Sequence, residues 1–320
     1  MGLGSLVGRA PAFLNMVARI PTVARTGHSV LITGETGTGK ELCARAIHHL
    51  GPRARHPFIP IDCGALPDQL FENEVFGHAR GAFTDARAEQ RGLLAIADGG
   101  TVFLDEVDAL SSSAQAKLLR FLQERTFKPL GAERFVRADV NVLSATNQDL
   151  AALVRQGRFR ADLFYRLCVL ALHLVPLRKR PGDVSLLARH FVRAGCDEQQ
   201  LPQKTLSPLA AEALEAYDWP GNVRELWNVV RRAVTFAEGD TILRAHVQLD
   251  AGSHPDAPEP ANLSFRNARQ LAVSSFERRF VEELLVRHGG NVTHAAKEAK
   301  KDRRAFGRLV KKYDICRRVS

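Results

Sequence analysis

No apolar run in this sequence approaches the ~20 residues that cross a bilayer, so neither a membrane-spanning helix nor a membrane partner is expected. The amino terminus, MGLGSLVGRAPAF, has neither the charged start nor the long apolar stretch of a signal peptide. Cysteine is sparse. Cys43, Cys63, Cys168, Cys196 and Cys316 stand far apart, odd in number and without a C-x-x-C pair. That spacing argues against a zinc site and a disulfide framework, and it suits a reduced, cytoplasmic setting. Net charge is nearly absent from most of the chain. Of the overall +10, residues 261–320 carry almost all, with 15 Lys and Arg against 6 Asp and Glu. A neutral body with a basic end suggests a nucleic-acid partner at that end.

The 320 residues leave room for two or three domains, and 45% hydrophobic with 25% charged residues is ordinary for a globular protein. The chain is organised around Ser29–Glu41, SVLITGETGTGKE. Ser29–Thr33 has the β-branched, apolar composition of a buried parallel strand. Gly34-Glu35-Thr36-Gly37-Thr38-Gly39-Lys40 fits G-x-x-x-x-G-K, and Leu42–Leu50 follows at helical spacing. Strand, glycine loop and helix are the context in which such a loop turns its N–H groups onto a phosphate chain. A chance glycine turn is the plainer alternative, and the agreement of motif with context disfavours it. Glu41 stands where many such loops carry Ser or Thr; a carboxylate is also a hard oxygen ligand for Mg2+, directly or through water.

Thr101–Glu106, TVFLDE, is an apolar strand ending in two acids, of which Asp105 suits a metal ion and Glu106 an attacking water. Such an ending is common alone. It gains weight by following Lys40 with strand–helix units between. Ala138–Ser144 reads as a further strand, leading to Asn147 near the expected γ-phosphate; a simple turn residue is the alternative. In Gly157–Leu167, GRFRADLFYRL, Arg160 and Arg166 fit either a solvated helix face or a pair of arginine fingers. Residues 77–86, GHARGAFTDA, read as a glycine-punctuated surface loop with an exposed Phe83.

Beyond residue 176 strands give way to helical patterns, with Trp219-Pro220-Gly221 as a turn, Asn222 as a helix cap and Arg224 in the first turn. Residues 250–262, DAGSHPDAPEPAN, read as a linker. Arg266–His288 reads as a long amphipathic helix. Two short helices follow, capped by Asn291 or Thr293 and by Asp302. The last carries Arg303, Arg304, Arg308, Lys311 and Lys312, which fits a helix-turn-helix or, more plainly, a basic solvated hairpin. The expected division is an α/β unit over 1–176, a helical unit over 177–249, the linker, and an all-α unit over 263–320.

GETGTGKE, GHARGAFTDA, GGTVFLDE, SATN, FRADLFYRL and WPGNVREL together resemble, in order and spacing, the bacterial enhancer-binding proteins. These are the sigma-54-dependent transcriptional activators of the AAA+ class. The carboxyl-terminal end is similar to their Fis-type helix-turn-helix. The resemblance implies an α/β AAA+ P-loop ATPase with a parallel sheet, a helical lid and an all-α DNA-binding domain, using ATP and Mg2+. It implies nucleotide binding by Gly34, Glu35, Thr36, Gly37, Thr38, Gly39, Lys40 and Glu41. Asp105 then holds Mg2+, Glu106 the water, and Asn147 and Arg224 are the two sensors. Arg160 and Arg166 align with arginines that reach a neighbouring subunit's nucleotide. Gly81, Ala82, Phe83, Thr84, Asp85 and Ala86 fall in the loop that touches sigma-54. The implied partners are sigma-54 RNA polymerase holoenzyme, double-stranded DNA at an upstream enhancer, and further copies in a hexamer built from dimers.

Asp85 replaces the usual second glycine of that loop, adding a charge at its tip. Asp62 replaces an Asn that restrains the catalytic glutamate; it lacks the amide donor and would repel Glu106. Residues 1–28 leave no room for a receiver domain, as in members restrained by a separate regulatory protein, unless the chain is part of a longer one. Two other functions compete: a DNA-binding regulator that has lost sigma-54 activation and uses ATP only to oligomerise, and a different AAA+ machine such as a helicase loader.

Overall fold

Short runs of Val, Leu, Ile and Phe build the centre of the molecule. In the computed structural model the first of two compact units covers residues 1–251, and the second 252–320. The described residues are 6–65, 67–83, 86, 88–249, 281, 284–285, 288, 291–299 and 301–312. In chain order the first unit contains α1 (Pro11–Thr26), β1 (Val30–Thr33), α2 (Lys40–Leu50), β2 (Phe58–Asp62), α3 (Asp68–Phe76), β3 (Thr101–Asp105) and α4 (Ser112–Glu124). It continues through β4 (Asn141–Thr146), α5 (Leu150–Arg155), α6 (Ala161–Leu167), β5 (Leu170–His173), α7 (Asp183–Glu198), α8 (Pro208–Glu215) and α9 (Asn222–Phe236).

The sheet is parallel, in the order β2-β3-β4-β1-β5. Its inner strands, TVFLD and NVLSAT, are buried along almost their whole length. Helices on both faces require that continuous apolar character. Pro60 sits in β2, at the sheet's edge, where a missing N–H costs nothing. One face is covered by α1 and α2, with Ile20, Ile32, Ile47 and Leu172 in its core; the other packs Phe71, Leu104, Phe121 and Leu163. The strand expected over 138–144 begins instead at Asn141, because Val136–Arg137 pairs with Thr126–Phe127 and Ala138 N–H donates to Arg125 O.

The registers align Asp62 with Asp105, and Thr33 with Thr146 and His173. The polar strand ends thus collect at the carboxyl edge, where open α/β sheets bind ligands. Residues 177–249 form a helical lid around Leu187, Leu226, Val230 and Trp219; the Trp219 indole is fully buried and donates to Leu214 O at 2.8 Å. Buried Asp183 ties this lid to the amino-terminal segment. It accepts the N–H groups of Arg9 and Ala10 at 2.7 and 3.0 Å and pairs with Arg180 at 2.7 Å.

In the second unit, Val292–Glu298 (α10) and Arg303–Lys312 (α11) enclose Ala295, Ala296 and Phe306 with Val281, Leu284 and Leu285. Asn291 Oδ1 caps α10, and Asp302 Oδ1 accepts the Ala305 N–H at 2.8 Å. The linker and most of the helix expected over 266–288 lie outside the described residues. No helix among the described residues is long and apolar enough to cross a membrane.

Candidate active site

Gly34, Gly37 and Gly39 have φ of 154°, 78° and 99°, and Gly39 leads directly into α2 without a side-chain cap. The first-turn N–H groups are therefore left for an anion. Lys40 Nζ donates to Gly34 O at 3.0 Å and Glu35 O at 3.3 Å, holding the loop in its curved form. Burial, with help from Arg224, lowers the Lys40 pKa; Asp105, Glu106 and Asp108 oppose the shift. Thr38 is buried and its hydroxyl donates to Glu35 O at 2.7 Å. Glu41 borders the cleft while its carboxylate accepts from Arg45, one turn on, at 2.9 and 2.7 Å.

Across the cleft, Asp105 Oδ1 accepts the Glu106 N–H at 3.0 Å, and Glu106 itself takes a left-handed backbone, φ 52°. Its carboxylate lies over Gly64, where a Cβ would come within 2.7 Å of Glu106 Oε2. Burial first, then the charges of Asp62, Asp105 and Asp108, raise the Glu106 pKa above the usual carboxylate value; Lys40 opposes them. Asp62 makes no hydrogen bond to Glu106 among the described residues; it accepts the Gly64 N–H at 2.9 Å. Asn147 Nδ2 donates to Thr36 Oγ1 at 3.1 Å, joining the end of β4 to the glycine loop. Thr36, Gly37, Gly39, Lys40, Glu41, Asp105, Glu106, Asn147 and Arg224 line one cleft of about 310 Å³. Its far wall is aromatic, with Phe191 and Trp227 edge to face, centroids 5.0 Å apart.

The lid closes on the glycine loop through a residue whose role differs from expectation. Asn222 does not cap α9 with its side chain. Fully buried at φ 53°, it accepts the Leu177 N–H at 2.8 Å and donates to Thr36 O at 3.0 Å and to Glu35 at 3.2 Å. Arg178 grips the same Glu35 carboxylate with two bonds, of 2.6 and 2.5 Å, and so lowers its pKa. The Val223 and Arg224 N–H groups reach Gly37 O at 3.0 and 3.3 Å, and a Cβ on Gly37 would strike Gly221 O at 2.2 Å. Asp108, Arg178 and the bonding role of Asn222 were not read from the sequence; their partners are distant in the chain.

Arg160 and Arg166 are exposed and do not line this cleft. Arg160 forks onto Asp162 at 3.0 and 2.8 Å. The 77–86 loop is rooted by Gly77–His78 pairing with Gln90–Arg91 and closed by Gly81 N–H to Ala86 O at 2.8 Å. Ala82 packs beside Gly131, and Ala86 is buried. Phe83 is 47% exposed, with one face against His78. Thr84 and Asp85 lie outside the described residues. In α11, Arg303, Arg304 and Arg308 are exposed opposite buried Phe306; the side chains of Lys311 and Lys312 are not among those described.

Residues 6–173 match the sigma-54 interaction domain, and residues 178–263 the AAA+ ATPase lid domain. The chain belongs to the sigma-54 activator family. Within it the chain is 41% identical to the regulatory protein AtoC of Escherichia coli over 98% of its own length and 68% of that protein's. It is 42% identical to the anaerobic nitric oxide reductase transcription regulator NorR of Salmonella arizonae, over 97% of this chain and 63% of that one. Among solved structures, NtrX of Brucella abortus superposes with a TM-score of 0.71 at 32% identity, covering 98% of this chain and 70% of that one. NtrX has also been solved in complex with ADP and with ATP. Family and fold thus agree with the expected AAA+ P-loop ATPase carrying a helical lid.

Proposed function

We infer that this sigma-54 family ATPase binds upstream DNA, hydrolyses ATP in a ring of subunits and remodels the closed sigma-54 promoter complex into the open one. The observation that carries this is a division of labour. Lys40, Asp105, Glu106 and Asn147 share one cleft, while Arg160 and Arg166 stand outside it, exposed on a face that suits another subunit's site.

The residues present fit a nucleoside triphosphate with Mg2+. The glycine loop runs into a helix whose first-turn N–H groups no side chain caps, and Lys40 stands beside them in the same cleft. Asp105 and Glu41 offer hard oxygens. Among the described residues no cluster of three or more acids, His or Cys forms a closed metal cage. Mg2+ at a nucleotide commonly needs only one or two carboxylates beside phosphate and water. Bound MgATP supplies the electrophilic γ-phosphoryl group. Lys40 holds the β- and γ-phosphates, Glu106 orients and polarises the attacking water, and Asn147 fixes the cleft edge. Arg224 brings the lid to the same phosphates, and Arg160 and Arg166 meet charge developing next door, a contribution of ~10³ or more in such enzymes. The Gly81–Ala86 loop carries the movement to sigma-54 through Phe83 and Thr84. Arg303, Arg304, Arg308, Lys311 and Lys312 bind the enhancer DNA, steeply dependent on salt.

The decisive experiment is open-complex formation in vitro with sigma-54 polymerase, promoter DNA and ATP. Open complexes are expected with the parent chain and none with Phe83→Ala, whose hydrolysis persists. ATP hydrolysis without any open complex would favour a second reading, a DNA-binding regulator that keeps ATP only for assembly. Asp62, whose charge burdens Glu106, is the observation on that side.

A further inference from the structure

Gln115 on α4 is only 2% exposed, and its amide is fully used. Nε2 donates to Leu110 O at 2.9 Å and to Arg158 O at 3.2 Å, and Oε1 accepts the Arg160 N–H at 2.9 Å. Leu110 ends the turn that follows the catalytic acid, in which Ala109 N–H donates to Glu106 O at 2.9 Å and Leu110 N–H to Val107 O at 3.4 Å. Arg158 and Arg160 lead into α6, which starts at Ala161 and carries Arg166. Phe159 between them is buried in the same core as Leu110 and Leu163. One side chain therefore joins the backbone behind Glu106 to the backbone of an arginine that faces outward. A buried amide cannot release any of these bonds cheaply, because each abandoned donor or acceptor stays dry. Displacing the Glu106–Leu110 turn must then either carry Arg160 along or break the junction.

We propose that Gln115 is a positioning residue that couples the catalytic acid of one subunit to the arginine face presented to the next, making turnover at adjacent sites interdependent. The proposal rests on the reading of Arg160 and Arg166 as residues that act in trans. Its energetic logic is geometric: a misplacement of about 1 Å in a catalytic group can cost ~10²-fold.

The test uses the full chain and ATP turnover. Gln115→Met keeps the length and removes all three bonds. Gln115→Glu, held neutral by burial, keeps the acceptor for the Arg160 N–H and one of the two donors. Gln115→Met is expected to lower turnover about 10- to 100-fold with ATP affinity unchanged and with weaker cooperativity in ATP; Gln115→Glu should lose less. Mixing Gln115→Met with Lys40→Ala subunits, whose arginine face is intact, should recover turnover several-fold; Arg160→Ala mixed with Lys40→Ala is the control. Recovery in the control but not with Gln115→Met would overturn the coupling role alone. No recovery in the control would overturn the trans reading, and this proposal with it. Unchanged turnover in Gln115→Met, or equal losses in the two variants, would also overturn it. Should Gln115→Met fail to fold by circular dichroism, Gln115→Glu enters the same mixtures with the same outcomes.

Discussion

Lys40 and Arg160 are cations proposed for the same chemistry, and the fold treats them in opposite ways. Lys40 is tied to the carbonyls of its own loop, drawn into a cleft, and surrounded by Asp105, Glu106 and Asp108. Arg160 stands in solvent with Asp162, two residues away, and Arg166 has no partner among the described residues. The cleft's side chains are held by hydrogen bonds, Lys40 within its own loop and Asn147 across to Thr36. The exposed arginine face is held by α6, by Gln115 on the Arg160 backbone and by the Arg160–Asp162 pair. On the proposed reading, each chain supplies one cleft and lends its arginines to another copy.

The largest effect that could break this comparison is loss of the catalytic acid. Glu106→Gln should bind ATP with near-parental affinity and lose ~10²- to 10⁴-fold in turnover, as expected for a positioned acid–base group; turnover at the parental rate would end its assignment. Arg160→Ala should come close behind, at ~10³. Its isolated thermal midpoint should hardly move, because an ion pair as exposed as Arg160–Asp162 contributes little to stability. A dilute monomer as active per subunit as the concentrated protein would erase the distinction between the two faces.

Asn222→Ala leaves the Leu177 N–H and the Thr36 carbonyl without this partner and should destabilise the lid by about 1–3 kcal/mol. Thermal unfolding, followed at the lid, measures this. The smallest effect is electrostatic. Glu106 has a raised pKa, so turnover should fall on acidification at a higher pH than an ordinary glutamate would give. Asp62→Asn removes the second-largest cause and should move that acid limb to lower pH. The sign for stability is the reverse. A raised carboxylate pKa means the folded state binds more protons, so its contribution to stability is present at low pH and lost as pH rises through the raised value. Glu106→Gln should therefore gain in thermal midpoint relative to the parent on going from acid to neutral pH.

The cleft was largely legible because its parts are local. Glycines with positive φ between a strand and a helix, and acids at a strand end, are dictated within a few residues. Asn222 was read as a cap because Trp219-Pro220-Gly221 looks like a helix entry, and caps are short-range. Its actual bonds to Glu35 and Thr36 span 187 and 186 residues, beyond any local pattern. Gln115 escaped for the same reason: a polar residue in an amphipathic helix reads as solvent-facing until the chain from Leu110 and Arg158 closes over it. The strand reads three residues too early because Ala138 and Val140 are buried in the core beside the sheet, while the adjacent Val136–Arg137 pairs with Thr126–Phe127.

The aromatic wall of the cleft has a spectroscopic consequence. The chain holds only two tryptophans, Trp219 and Trp227. The first is sealed within the lid and bonded to Leu214, so its emission should be blue, steady and lost only when the lid unfolds. The second is half-buried beside Phe191 in the cleft wall, where filling or lid movement changes its surroundings. In the unlabelled protein the pair forms an internal reference and a reporter. Trp227→Phe would leave the reference alone, and the difference between the two spectra would follow nucleotide loading in real time.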